Sequence, residues 1–253
     1  MAMNRWVLLL ASATLAACAQ KDAPSQATNE PAQAAPAPAT EPAGEPSRTA
    51  ALAPDVPAGD YKMDPAHSTL IFRVDHLGFS KYTARFRRFD AQLRFDPRNL
   101  TATQLTATVD PRSIETDFPD PKYNFNAELA GEQWLDAAKF PEIAFRTTRV
   151  EDLGNQAMRV HAELTMRGVT RPIVLDATYN GGYVGHPMDP HARVGFSAHG
   201  VLRRSEFGIS GGIPQAGANM GVGDRVAVAI ETEFNGPPMS LAEGASAEAA
   251  KAE

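Results

Sequence analysis

Apolar and polar side chains alternate along most of the chain between residues 68 and 234. In an extended strand, neighbouring residues face opposite sides, so alternation marks a strand with one buried face. Leu70, Phe72, Val74 and His76 share one parity; Thr69, Ile71, Arg73 and Asp75 share the other. Ala91, Leu93 and Phe95 repeat the pattern, as do Leu105, Ala107 and Val109, then Ile143 and Phe145. The cleanest run is Met158, Val160, Ala162, Leu164 and Met166, set against Arg159, His161, Glu163, Thr165 and Arg167. After a short turn at Gly168 come Ile173, Leu175, Ala177 and Tyr179, then Ala192, Val194, Phe196 and Ala198. The last run is Val226, Val228, Ile230, Thr232 and Phe234. Phe86 and Phe89 lie on opposite parities, which predicts a bulge at Arg87-Arg88. The pattern predicts about eight half-buried strands joined by Gly-, Pro- and Asp-rich turns. Residues 121–140 break it: Phe125, Leu129 and Trp134 or Leu135 fall near helical spacing and predict one or two short helices.

Eight antiparallel strands hide a single apolar face either as a sandwich or as a closed barrel. Alternation does not choose between them. Long inward residues (Phe72, Phe95, Phe196) would fill an interior, and small ones (Ala91, Ala107, Ala162) would leave it open.

The ends of the chain lack the pattern. Residues 1–17 carry Arg5, a short apolar run and the ending Leu15-Ala16-Ala17 before Cys18. This resembles a bacterial lipoprotein signal, with cleavage before Cys18 and lipid attached to its thiol. Alternatives are an ordinary signal peptide or a membrane anchor. Cys18 is the single cysteine, so no disulfide forms within the chain. Ala19 rather than aspartate after it favours the outer membrane under Gram-negative sorting rules. Residues 18–55 are an Ala/Pro/Glu tether expected to be disordered, spanning roughly 30 Å when flexible and about 110 Å if fully extended. Residues 56–236 form the single domain, and 237–253 a second disordered tail.

The formal charge is −6, and loss of Arg5 with residues 1–17 leaves −7. A mildly acidic chain is a poor fit to nucleic acid.

Six stretches then carry a resemblance. They are DPAHSTLIFRVDHLG at 64–78, SIET at 113–116, FPEIAF at 140–145, LTMRGVTRPIVL at 164–175, LRRSEFGI at 202–209 and VGDRVAVAIETEF at 222–234. In order and spacing the chain resembles the YceI-like family of exported, lipocalin-like barrels. The resemblance implies an all-β fold: an extended eight-stranded antiparallel barrel with one or two short helices. It implies an isoprenoid or other amphiphilic lipid in the lumen, with a quinone or polyprenyl lipid as examples. It implies no established catalytic residue. The chain departs from the family pattern at PDPKYNFNAEL, residues 119–129.

On this reading the lumen wall comprises Leu70, Phe72 and Val74, with Phe95, Ala162 and Leu164. Val194, Phe196, Val228 and Ile230 complete it. A bulky side chain at Ala162 is expected to reduce lipid retention. His76, in phase with the apolar face near a strand end, is a candidate contact for a polar head; a bond to a neighbouring backbone carbonyl is the bland alternative. Arg204 is a second head-group candidate because guanidinium offers a planar fork of donors. Its alternative is an ion pair with Asp75 or Glu206. His67 has the outward parity. His186, Asp189 and His191 lie in a Pro-rich loop whose spacing matches no zinc pattern, and no metal or catalytic residue is assigned. The six glycines of GISGGIPQAGANMGVGD lack a Walker lysine and read as a long loop, a candidate lid. The expected function is a lipid-anchored envelope protein facing the periplasm and carrying such a lipid, with no cofactor beyond it. A second copy of the chain is a further candidate partner. The other readings are a ligand-free barrel acting in envelope structure or stress through protein partners, and an enzyme using His76 as base.

Overall fold

The computed structural model describes residues 56–218 and 220–238. The expected signal at 1–17, Cys18, the rest of the expected tether, residues 239–253 of the expected tail and loop residue Asn219 lie outside the described residues. Eleven strands run in chain order: β1 (Gly59–Met63), β2 (Thr69–His76), β3 (Ser80–Phe86), β4 (Phe89–Phe95), β5 (Gln104–Val109) and β6 (Ile114–Glu115). Then come the helix α1 (Phe125–Ala130), β7 (Ile143–Gly154), β8 (Ala157–Met166), β9 (Val169–Tyr183), β10 (His191–Arg203) and β11 (Val222–Pro238). Among the described residues, no helix is long and apolar enough to cross a membrane.

All pairings are antiparallel, and β1-β4-β5-β7-β8-β9-β10-β11 closes on itself through β1 and β11. This is a closed eight-stranded barrel. Its seam is split. One edge of β11 pairs with β2 from Val222 to Glu231 and with β1 at Phe234 and Asn235. β1 and β2 therefore act as one strand broken at a corner. The corner is Asp64-Pro65-Ala66-His67-Ser68. The Asp64 carboxylate accepts from the Ala66 amide at 2.9 Å, the usual role of Asp before a tight helical turn. The Ser68 hydroxyl donates to the Asp64 carbonyl at 2.7 Å and lies 2.9 Å from the Thr232 hydroxyl on β11.

The bulge expected at Arg87-Arg88 is a second break, between β3 and β4. The Ser113 hydroxyl accepts from the Arg88 amide at 3.0 Å, and Asp110 pairs with the Arg88 guanidinium at 2.8 Å. Beyond the two breaks, β2 and β3 leave the closed ring and carry β6 at their outer edge. Past β6 the wall continues as residues 116–142, including α1. Asn126 of α1 accepts from the Thr116 amide at 3.0 Å and donates to Glu115 at 3.0 Å, docking the helix on β6. Among the described residues one short α-helix forms in the region of helical spacing, within the one or two expected.

The β7–β8 and β8–β9 turns place Asn155-Gln156 and Arg167-Gly168 at positive φ, the geometry of tight hairpin turns that match strand twist. At Gly168 a side chain would also meet the Phe140 ring, 2.8 Å from an ideal Cβ.

The larger of two core clusters among the described residues holds an aromatic plug at one end; the smaller joins Ile143, Leu164, Met166, Phe207 and Ile209. Phe95 and Tyr179 lie with ring centroids 5.0 Å apart, Phe95 and Phe196 5.2 Å apart, and Tyr61 packs edge-on to Phe95 at 6.2 Å. Phe234 closes on Phe196 at 6.0 Å. Gly236 makes room for this plug, because a Cβ there would lie 2.1 Å from the Tyr61 ring. Burying each such ring is worth roughly 1.5–3 kcal/mol, with further gain from edge-to-face geometry.

Outside the plug, Arg193 donates to Asp64 at 2.8 Å, to Glu233 at 2.6 Å and to the Tyr183 hydroxyl at 3.2 Å. It ties the corner to β10 and β11. The His67 and Arg193 hydrogen bonds hold the Asp64 carboxyl well below the usual carboxylate range. Tyr183 does the same for Asp189, and Asp224 is lowered by hydrogen bonds from Ser205 and Arg203 against an opposing burial effect. A carboxylate depressed on folding stabilises the fold above its unfolded value near 4, and that stability is lost as pH falls through its folded value. The thermal midpoint should therefore be flat from pH 7 to 5 and fall steeply below about pH 4. Arg193→Met should cost about 2 kcal/mol at pH 7 and make the acid limb shallower. Thermal unfolding of both proteins across pH 3–7 checks this.

Candidate functional site: an apolar lumen with a polar mouth

Toward the end away from the plug, the barrel is hollow. The cavity measures about 580 Å³, within the range of small-molecule sites. β2 contributes Leu70, Phe72 and Val74; β4 and β5 contribute Ala91, Leu105 and Ala107; β8 contributes Leu164 and Met166. Val226, Val228 and Ile230 of β11 form the opposite side. Where the strand wall stops, Phe118, Phe125, Leu129, Trp134 and Leu135 complete it. Met63 and Phe234 form the floor, directly above the plug.

Three titratable side chains line the cavity: His76, Tyr82 and Arg204. His76 sits exposed at the end of β2, with its ring 6.5 Å from that of Tyr82 on β3. Val222, opposite His76 in the ladder, fixes the same level on β11. Here lies the mouth. Aromatic rings surround these polar groups: Phe118 and Tyr123 pack at 5.6 Å, Phe118 and Phe125 at 5.3 Å, and Tyr82 and Phe125 edge-on at 5.9 Å. At the same end, Phe79 in the β2–β3 turn is 81% exposed.

Arg204 is 5% exposed. Its Nε donates to the Gly223 carbonyl at 2.8 Å, one Nη to Val222 at 2.7 Å and the other to Ile209 at 3.1 Å. Its guanidinium lies 5.4 Å from the centre of the Trp134 ring. Arginine has five N–H donors, so three are used on neutral acceptors. Among the described residues no carboxylate pairs with it: Asp75 pairs with Lys81 at 2.6 Å, and Asp224 with Arg203 at 3.0 Å. The expected alternative partners, Asp75 and Glu206, are thus not its partners. Burial lowers the Arg204 pKa. The residue fastens the start of β11 to the turn after β10 and sets the mouth's shape.

The sequence-assigned wall divides in two. Leu70, Phe72, Val74, Leu164, Val228 and Ile230 line the cavity, together with His76 and Arg204. Phe95, Val194 and Phe196 do not: they are 1%, 0% and 8% exposed and belong to the packed base. Ala162 is buried in the wall between Thr147 and Ile173 and is also absent from the cavity lining, so a bulky residue there is no probe of it. The reason is depth. Alternation says which face a residue takes, not how far along the barrel axis it lies. The segment after β6 was not assigned to the wall; its only trace in the sequence is the spacing of Phe125, Leu129 and Trp134.

Other candidate groups are engaged elsewhere. Among the described residues, Asp64, His67 and Glu233 converge closely enough to hold a metal ion, but the Arg193 guanidinium already bridges Asp64 and Glu233. His186 and Asp189 form a backbone bridge, with the Asp189 carboxylate accepting from Tyr183. No carboxylate lies within hydrogen-bond reach of the His76 ring among the described residues.

Residues 61–234 match the model of the YceI-like domain. An all-β barrel with a single apolar lumen is the class of protein that this geometry defines, and the chain belongs to the YceI-like family. It is 33% identical to a UPF0312 protein of Vibrio cholerae over 156 residues, 60% of this chain and 78% of that one. A UPF0312 protein of Shewanella oneidensis is likewise 33% identical, over 61% of this chain and 78% of the relative. Solved barrels agree in fold. BcnA of Burkholderia cenocepacia aligns with a TM-score of 0.57 at 21% identity, covering 68% of this chain and 98% of that one. The Campylobacter jejuni YCEI protein gives 0.53 at 26% identity, over 64% and 90%. A polyisoprenoid binding domain from Saccharophagus degradans gives 0.52 at 14% identity, over 72% and 100%.

If Arg204 shapes the mouth, Arg204→Lys should be costly, because a single ammonium cannot span three carbonyls in a fixed plane. A loss of about 2 kcal/mol in urea unfolding is expected, with no change in denaturant slope.

Proposed function

We propose that this protein is a lipid-anchored carrier of the cell envelope, holding an isoprenoid-type amphiphile such as a quinone or polyprenyl lipid with its tail in the lumen. The observation that carries the reading is the cavity itself: it is hollow, walled by aliphatic and aromatic side chains, closed at the floor and polar at one end. The head group would sit at the mouth between His76 and Tyr82, within reach of the two Arg204 donors not used on carbonyls. An imidazole and a phenol each offer a hydrogen bond to a carbonyl or hydroxyl oxygen. The tail supplies affinity, at about 0.8 kcal/mol for each CH₂ removed from water, against the freedom lost on binding.

Two further observations support the reading. The fold is shared with a polyisoprenoid binding domain from Saccharophagus degradans. The sequence before Cys18 matches a lipoprotein signal, which would hold the barrel beside a membrane, by the Ala19 rule the periplasmic face of the outer membrane. A barrel acting only through protein partners would have no use for an interior of this size.

The test is native mass spectrometry of the full chain isolated from membrane-containing bacterial cells. One stoichiometric adduct, released as an isoprenoid lipid, is the expected result. Ala107→Trp should lower its occupancy at least ten-fold while the fold persists, since the new ring enters empty space rather than a filled core. Cys18→Ser should move the protein out of the membrane fraction and leave the adduct in place. A bare mass, unchanged after incubation with quinones and polyprenyl lipids, would shift the reading to protein partners.

A further inference from the structure

The floor of the cavity is built differently from its walls. The walls are single side chains on strands, open toward the lumen. The floor rests on the packed plug, where Phe234 and Met63 are 2% and 3% exposed, with Phe196, Phe95 and Tyr179 beneath them. Tyr179 and Phe196 lie 5.3 Å apart, and Gly236 leaves no free space beside Tyr61. The barrel is therefore a blind tube.

Its capacity follows. Along β11 the mouth at Val222 and the floor at Phe234 are separated by twelve residues, about 30 Å of depth at the usual strand rise and barrel tilt. An extended chain advances roughly 1.25 Å per carbon–carbon bond, so that depth takes on the order of twenty-five carbons.

We infer that the aromatic plug under Phe234 is a chain-length stop, which fits the lumen to a prenyl or comparable chain of about twenty-five carbons and leaves the remainder of any longer chain outside the mouth. This rests on the carrier reading and adds the size class of its ligand. The stop acts through packing alone. A longer tail would have to displace rings that are already in contact, and such interiors give little.

The test uses the full chain carrying Cys18→Ser, stripped of endogenous lipid, and a ladder of all-trans prenyl alcohols: farnesol, geranylgeraniol, geranylfarnesol and solanesol. Affinity should rise about ten-fold with each added isoprene unit up to geranylfarnesol. From there to solanesol the total gain should stay below about ten-fold, although four more units are added. Phe234→Leu, which lowers the floor, should move the break to longer chains. Ala107→Trp, which keeps the plug intact and narrows the lumen, should move it to shorter ones and stands in if Phe234→Leu does not fold. Affinity that keeps climbing ten-fold per unit through solanesol would overturn the stop and leave the carrier reading intact. A break that stays in place in the folded variants would also overturn it. No binding at any length would overturn both.

Discussion

The ring cluster of Tyr61, Phe95, Tyr179 and Phe196 is the interaction on which the rest of the structure depends. A barrel that keeps half its interior empty loses the contacts that would hold its walls together. Here the missing packing is supplied at one end. Phe95 touches three rings at 5.0–6.2 Å, and each of those rings belongs to a different strand: β1, β9 or β10. The base thus cross-links strands that are not all neighbours, and the ladder hydrogen bonds carry that rigidity upward to walls with little behind them.

A second device adapts the closed base to an open mouth. β1–β2 and β3–β4 each break once, at Asp64–Ser68 and at Arg87-Arg88. Both breaks are held by short polar side chains accepting from or donating to the backbone, the role in which Asp and Ser excel. The consequence is a wall that is sheet on three sides and irregular chain on the fourth. The irregular part is tied down by Asn126 and by the Arg167 guanidinium donating to the Trp134 carbonyl. The same logic explains Arg204. One guanidinium donates to three carbonyls where the strand ends meet, in an apolar setting.

Much of this was legible from residue order. Met158 to Met166 reads as a strand because five apolar residues hold one parity without a break. The hairpin at Arg167-Gly168 and the interruption at Arg87-Arg88 were equally plain. Three strands escaped, and β3, SKYTARF, was touched only through Phe86 at the bulge. β1, GDYKM, has only Tyr61 and Met63 to signal it, and β6 is two residues long. The site was half legible. Leu70, Phe72, Val74, His76, Leu164, Val228 and Ile230 face the cavity as their parity implies. Phe95, Val194 and Phe196 share that parity but lie deeper, where the interior is full. Period-2 patterning has no coordinate along the barrel axis, so filled and hollow levels look alike. Arg204 could be picked out as a buried fork of donors, but its three acceptors come from residues 5 to 19 positions away, and nothing local encodes that meeting.

β11 borders β10 along its length on one side and both β2 and β1 on the other. It is also the last strand to be made. Until it arrives, the preceding strands make two separate sheets, β1-β4-β5-β7-β8-β9-β10 and β2-β3-β6, whose unpaired edges are of the kind that recruit other chains. Pairing β11 with β1 joins segments some 170 residues apart, a slow step by loop-closure arguments. A molecule stalled before that step is no smaller barrel but a sticky intermediate, so safe maturation depends on the whole domain being available before the ring can shut.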